Sequence, residues 1–226
     1  MAETLDAVIA GEPLRLLAGR ALHWPAKRRL LIADLHLGKA DAFRRAGIGL
    51  PIGGTGGDLQ RLDALVAATS ADEVWILGDV LHAAIHPAAW RERWRQWRER
   101  HPRLRVIALA GNHDRALFAA AADLRLELVG EAMFDAPFVL RHLPQPEPGW
   151  HVLCGHLHPR IAVPGLPRRW PAFWLREGLT VLPAFSAFTG GMAPAAAAPE
   201  RLAACVEGSI LWVPPPAGER ARKSRP

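Results

Sequence analysis

Asp34, His36, Asp79, Asn112, His113, Asp114, His142, His156 and His158 are the residues of this chain with the chemistry to hold metal ions and move protons at them. They come in five blocks: Asp34 with His36, Gly78-Asp79, Gly111-Asn112-His113-Asp114, His142, and Gly155-His156-Leu157-His158. Carboxylate and amide oxygens together with several imidazoles are too many donors for one tetrahedral ion, and their mixture suits a pair of divalent metals. Two ions about 3.5–4 Å apart can hold the oxygens of a phosphoryl group, activate water near neutral pH and offset charge in an in-line displacement. The residue types therefore point to dinuclear, metal-dependent hydrolysis.

Each block follows a short apolar run: LLIA, VWIL, VIALA, FVLR and HVLC. Continuous runs of this length suit strands buried on both faces, and ligands placed just past strand ends collect along one edge of a sheet. Asp34 and His36 are two apart, as are His156 and His158, so in an extended segment each pair projects to one side. LRLLAG and RALHWP, separated at Gly19, predict an opening hairpin. The stretch KADAFRRAGIGLPIGGTGG reads as a glycine-rich crossing. Asp58 then offers an N-cap to the helix DLQRLDALVAATS, with Leu59, Leu62, Leu65 and Val66 on one face. Pro87 opens a further helix in which Trp90, Trp94 and Trp97 form a stripe that suits packing on a sheet better than stacking on bases. After the third run comes a helix-like stretch to about Ala122, then the chain becomes mainly short strands with Pro/Gly turns, FVLR and HVLC among them, and MAPAAAAPE reads as a surface loop.

Composition narrows the class. The 226 residues are half apolar, enough for one large domain over residues 1–213, followed by a basic, disordered tail at 214–226. Of the formal charge of +6, the last ten residues AGERARKSRP supply +3, four basic against one acidic, so the folded part is only mildly basic. No long apolar run and no leader-like start are present, which predicts a soluble, cytoplasmic protein without a membrane partner. Cys154 and Cys205 are expected as small core residues, not a disulfide.

The ordered blocks D-x-H, GD, GNHD, H and G-H-x-H resemble the calcineurin-like metallophosphoesterase superfamily. The resemblance implies an α/β fold, a four-layer αββα sandwich of two mixed β-sheets face to face with helices outside. It implies one metal held by Asp34, His36 and His158, and a second held by Asp79, Asn112, His142 and His156, with the Asp79 carboxylate between them. It implies that His113 protonates the leaving oxygen and that Asp114 fixes its tautomer. After His142 the chain reads LPQPEP where the superfamily commonly has glycine. His151 competes for that role, but it begins a strand where the other ligands end theirs.

Within the superfamily, ADLHLGKADAFRRAGIGLP, LGDVLHA, GHLHP and LPAFSAFTGG resemble the bacterial ligase-associated DNA damage response endonucleases over about residues 12–213. That likeness implies manganese, a single-stranded or flexible DNA substrate, and a pathway shared with a DNA ligase, a helicase and an exonuclease. Lys39, Arg44 and Arg45, just after the first block, suit a phosphate track. His82 and His86 follow GDVL and are expected to overlook the substrate, whereas His23 and His101 are expected as surface or capping groups. Two rival readings share these residues: a small-molecule phosphomonoesterase or cyclic-nucleotide phosphodiesterase, and a non-catalytic scaffold. Loss of ligands would mark the scaffold, and none is lost.

Overall fold

The computed structural model describes residues 3–45, 47, 54–82, 89–111 and 117–214. The first sheet has seven strands in sequence order: β1 (Thr4–Ile9), β2 (Glu12–Leu17), β3 (Ala21–Trp24), β4 (Arg29–Ile32), β5 (Glu73–Leu77), β6 (Arg105–Leu109) and β7 (Glu127–Val129). It is antiparallel as far as β4 and parallel from β4 to β7. The second sheet contains β8 (Ala132–Asp135), β9 (Phe138–Arg141), β10 (His151–Cys154), β11 (Arg160–Ala162), β12 (Arg169–Arg176), β13 (Leu179–Val181), β14 (Arg201–Val206) and β15 (Ser209–Val213). Its order is β15-β14-β12-β13-β10-β9-β8, with β11 beside β12, and β10 runs parallel to both β9 and β13. Both sheets are thus mixed, and helices flank them: α1 (Lys39–Arg45), α2 (Gly54–Thr69), α3 (Ala89–Arg100) and α4 (Leu117–Leu124).

Strand alternation explains why the central runs are apolar throughout. Leu30 and Ile32, Val74 and Ile76, Val106 and Ala108 turn toward the helices, where they meet Leu59, Leu62, Trp94 and Trp97. Their neighbours Leu31, Trp75, Leu77, Ile107 and Leu109 turn the other way, onto Phe138, Leu140, Leu153 and Phe173 of the second sheet. Phe138 stands edge-on to Trp24, with ring centroids 4.9 Å apart. Among the described residues, the outer face of the second sheet is covered by Ile161, Val163 and Ala196, from β11 and irregular segments. Arg29 ties the sheets together: it is buried on β4 and pairs with Glu73 of β5 at 2.9 Å and Asp135 of β8 at 2.8 Å.

Several features depart from the sequence expectations, among them α1, which forms within the stretch read as a glycine-rich crossing. The amino-terminal strand β1 was not anticipated, because TLDAVI alternates weakly and leaves Val8 exposed; it pairs with β2 through an Ala10-Gly11 turn with φ of 49° and 83°. Helix α2 starts at Gly54, four residues before the expected cap, and Asp58 is a buried residue within it. Glycine's weak helix propensity is overridden by packing: a Cβ on Gly54 would lie 2.7 Å from the Cβ of Ala40 on α1. His23 is not a surface group; it is buried on β3. The tryptophan stripe of α3 lies in the core, and Cys154 and Cys205 are buried free thiols. Pro87 and His86 lie outside the described residues, as do 215–226 of the carboxy-terminal tail. No described helix is long and apolar enough to cross a membrane.

Candidate metal centre

The carboxy-terminal ends of four strands deliver the candidate ligands. Asp34 and His36 follow β4, Asp79 follows β5, His142 follows β9, and His156 and His158 follow β10. Parallel neighbours end at the same edge, so β4 and β5 from one sheet and β9 and β10 from the other bring their termini together. Backbone bonds between loops lock the junction: His36 N–H donates to the Asp79 carbonyl at 2.9 Å, and Ser186 N–H donates to the Asp34 carbonyl at 3.2 Å.

Two groups of side chains with the spacing of metal ligands result, Asp34 with His36 and His158, and Asp34 with Asp79 and His142. Asp34 belongs to both and is fully buried. Its Oδ1 is 3.2 Å from His158 Nε2 and 3.8 Å from His142 Nδ1. Asp79 turns one oxygen toward His142 Nε2 at 3.5 Å and the other toward His36 Nε2 at 4.0 Å, so it too faces both groups. His156 Nδ1 is 3.1 Å from His142 Nε2. His151, the competitor for the role of His142, bonds Thr180 Oγ1 at 2.9 Å from the opposite end of its strand. Asn112, His113 and Asp114 lie outside the described residues.

The spacing works differently from an extended segment. Asp34, His36, Asp79, His156 and His158 all have left-handed φ, between 48° and 71°. The chain therefore bends at each of these five residues, and two glycines make room for the bends. A Cβ at Gly78 would fall 2.4 Å from His142 Nδ1, and one at Gly155 would fall 2.6 Å from Asp34 Oδ2. The backbone also orients the donors. Leu77 carbonyl accepts a 3.0 Å hydrogen bond from His142 Nδ1, which leaves the Nε2 lone pair to face Asp79 and His156. His156 N–H donates to the Asp34 carboxylate, at 3.0 and 3.3 Å to its two oxygens.

These residues fit divalent ions. Both ring nitrogens of His36 and Nε2 of His158 are buried without a hydrogen-bond partner among the described residues. Buried polar atoms are rarely left so, because each costs its full desolvation; a cation between them supplies the missing interaction. Burial, and after it the Lys39 ammonium, lowers the His36 pKa to about 3, so its imidazole is neutral and ready to ligate at neutral pH. Burial and then His142 lower the pKa of His156 in the same sense.

The expected substrate contacts are distributed unevenly. Lys39 opens α1 half-buried; burial lowers its pKa, while Asp34 and Asp79 act the other way, which places its charge within reach of both carboxylates. Arg44 is held by Asp41 at 3.0 Å, and the side chain of Arg45 lies outside the described residues. The His82 ring is 5.9 Å from that of His36, at the rim of the centre. Sequence reading missed the supports: the Asp58 carboxylate accepts Ala187 N–H at 3.1 Å and Arg61 at 2.7 Å, and Arg61 also donates to the Phe185 carbonyl. Only the burial of a helical aspartate reveals this role, and sequence does not carry it.

Two mixed sheets that place carboxylates and imidazoles at one shared edge define a metallohydrolase. Residues 27–158 match the family model of the calcineurin-like phosphoesterases, and the chain belongs to that family of divalent-metal-binding metallophosphoesterases. Among solved structures it is similar to Pseudomonas putida nuclease MPE, with 39% identity over 90% of this chain and 97% of that one and a TM-score of 0.80. It is also matched, at 18% identity over 82% of this chain and 97% of the other and a TM-score of 0.46, by the E. coli phosphoesterase Yfce. No curated protein matches.

Proposed function

We propose that the chain is a manganese-dependent endonuclease for single-stranded or flexible DNA. The observation that carries this reading is the 39% identity, along nearly the whole of both chains, to a protein named as a nuclease. In this reading Asp34, His36 and His158 hold one ion, and Asp79, Asn112, His142 and His156 hold a second, with Asp34 and Asp79 each facing both groups. The ions supply Lewis acidity toward a phosphodiester and an activated water. His113 protonates the departing oxygen, with Asp114 fixing its tautomer. Lys39, Arg44, Arg45 and His82 bind the strand, and such contacts to the backbone position it without reading sequence. A place in cytoplasmic DNA repair beside a DNA ligase, a helicase and an exonuclease follows from the same reading.

The test uses chelated protein reloaded with manganese, magnesium or zinc and given a circular single-stranded DNA, bis(p-nitrophenyl) phosphate and p-nitrophenyl phosphate. The circle has no ends, so cutting it reports an endonuclease. Manganese-dependent cutting of the circle and of the diester is expected. His113→Ala is expected to keep its metals and slow DNA cutting by about a hundredfold, the usual scale for a general acid, with a much smaller loss on the aryl diester. Hydrolysis of the monoester alone, with the circle intact, would replace this reading with a small-molecule phosphomonoesterase.

A further inference from the structure

The segment 182–191, LPAFSAFTGG, contributes none of the candidate ligands, yet it borders them, with Ser186 N–H on the Asp34 carbonyl at 3.2 Å. Gly191 lies so close behind His158 that a Cβ there would fall 2.0 Å from the His158 carbonyl oxygen. In front of this segment is a cavity of about 30 Å³ lined by Arg20, His158, Arg160, Ser186, Thr189 and Gly190 among others. That space exceeds what one water needs and is too small for a base or a sugar.

Among the described residues neither Arg20 nor Arg160 forms an ion pair with a carboxylate. Arg20 Nη1 donates to the Ser186 carbonyl at 3.2 Å, and Arg160 donates to the carbonyls of Thr189 at 3.2 Å and Arg169 at 2.8 Å. Carbonyls orient a guanidinium but leave its charge in place, and each fork has donors to spare. Arg61 is close by and is paired with Asp58 at 2.7 Å, a carboxylate that also acts on Arg20 without bonding it. Burial, and then Arg61, lower the pKa of Arg20 to about 10, the sign of cations crowded in a poorly solvated place. The Thr189 hydroxyl is buried in the wall with no hydrogen-bond partner among the described residues. A small cavity with two guanidinium forks and an unpaired hydroxyl is complementary to a tetrahedral oxyanion.

We propose that this pocket receives the non-bridging oxygens of the backbone phosphate next to the scissile one. The proposal rests on the nuclease reading and deepens it. His158 lines both the metal group and the pocket, so a strand whose reacting phosphate lies at the metals carries its next phosphate to Arg20 and Arg160. The pocket then distinguishes a polynucleotide from an isolated diester, which has no second phosphate to offer.

The experiment uses the manganese-loaded protein and a set of short single strands, each with one uncharged methylphosphonate at a known distance from a preferred cut. Wild type is expected to lose about tenfold or more in kcat/KM when the methylphosphonate occupies one particular neighbouring position, the scale of a charge-assisted hydrogen bond. Arg20→Gln is expected to lose at least about tenfold more on the native strand than on bis(p-nitrophenyl) phosphate and to become insensitive to that same methylphosphonate. Thr189→Val, nearly isosteric, serves as the second variant if Arg20→Gln fails to fold, and is expected to blunt the same sensitivity. Equal sensitivity in wild type and both variants would overturn the proposal. So would a pocket filled by free phosphate, in which no methylphosphonate matters and added inorganic phosphate changes diester turnover in wild type but not in Arg20→Gln. If wild type turns over the diester and leaves every strand intact, the nuclease reading fails and this proposal with it.

Discussion

At the scale of single residues, the centre is built from backbone that L-residues seldom adopt. Five candidate ligands sit at left-handed φ, from 48° at His36 to 71° at His156. Each such placement costs about 1–3 kcal/mol and persists only where its surroundings over-determine it. Here those surroundings are the bonds of His156 N–H to Asp34 and His36 N–H to Asp79, and the two glycines against which the side chains pack. Gly78→Ala tests this directly, since its φ of 77° and the 2.4 Å approach to His142 leave no room for a methyl group. The variant is expected to break the His142 bond to the Leu77 carbonyl and lose about 10–100-fold in metal affinity, the usual effect of disturbing a ligand's support. Titration of apo protein with manganese, read by calorimetry, measures it; wild-type affinity would show that His142 is not held this way. The ligand types were legible in the sequence because metal chemistry needs particular atoms. Their bends were not, because D-x-H and G-H-x-H spacings are equally compatible with extended chain.

At the scale of elements, periodicity was legible wherever one element alone decides which face is buried. The runs RLLI, EVWIL and RVIAL became central strands, and the stripe of Trp90, Trp94 and Trp97 became the buried face of α3. What failed depended on a neighbour. Asp58 carries the chemistry of an N-cap, but the helix begins four residues earlier, where Gly54 lets it pack closely on Ala40 of α1. The strand β1 forms only because β2 offers an edge. The role of α3 can be separated from base stacking by Trp97→Ala. Trp97 is fully buried and stacked on Trp94 with centroids 5.1 Å apart, and Trp94 Nε1 donates to the Leu124 carbonyl at 2.9 Å. Removing it is expected to cost about 3–5 kcal/mol in urea unfolding, with DNA affinity of the still-folded protein little changed. A variant of wild-type stability with weakened DNA binding would instead make the stripe a stacking platform.

At the scale of the whole molecule, the edge that gathers the ligands draws on both sheets, so metal loading and folding are coupled. Ions that bind the folded chain and not the unfolded one stabilise it, by about 4 kcal/mol for a site filled at a thousandfold its Kd. Chelation is therefore expected to lower the melting temperature and to bring out a pH dependence that the ions otherwise mask. The direction is set by histidines. His36, lowered to about 3 by burial, is joined by His156, His23 and His151, each also lowered by burial from 6.5. A folded-state pKa below the unfolded value means that the unfolded chain takes up protons first. The contribution of each group is whole above about pH 6.5 and is lost as pH falls toward its folded-state pKa, by up to about 1.4 kcal/mol per pH unit for each group. Metal-free protein should thus hold a flat unfolding free energy between pH 7.5 and 8.5 as far as these histidines govern it, and fall steeply between pH 6.5 and 5. Urea titrations at half-unit intervals, with and without manganese, measure both effects. His36→Gln should make the metal-free slope shallower while abolishing much of the stabilisation by manganese. An unchanged slope would place the buried imidazole outside the proton linkage, and would require the acid sensitivity to come from carboxylates such as Asp135, whose pairing with Lys27 and Arg29 lowers its pKa, while unchanged stabilisation by manganese would place it outside the metal linkage.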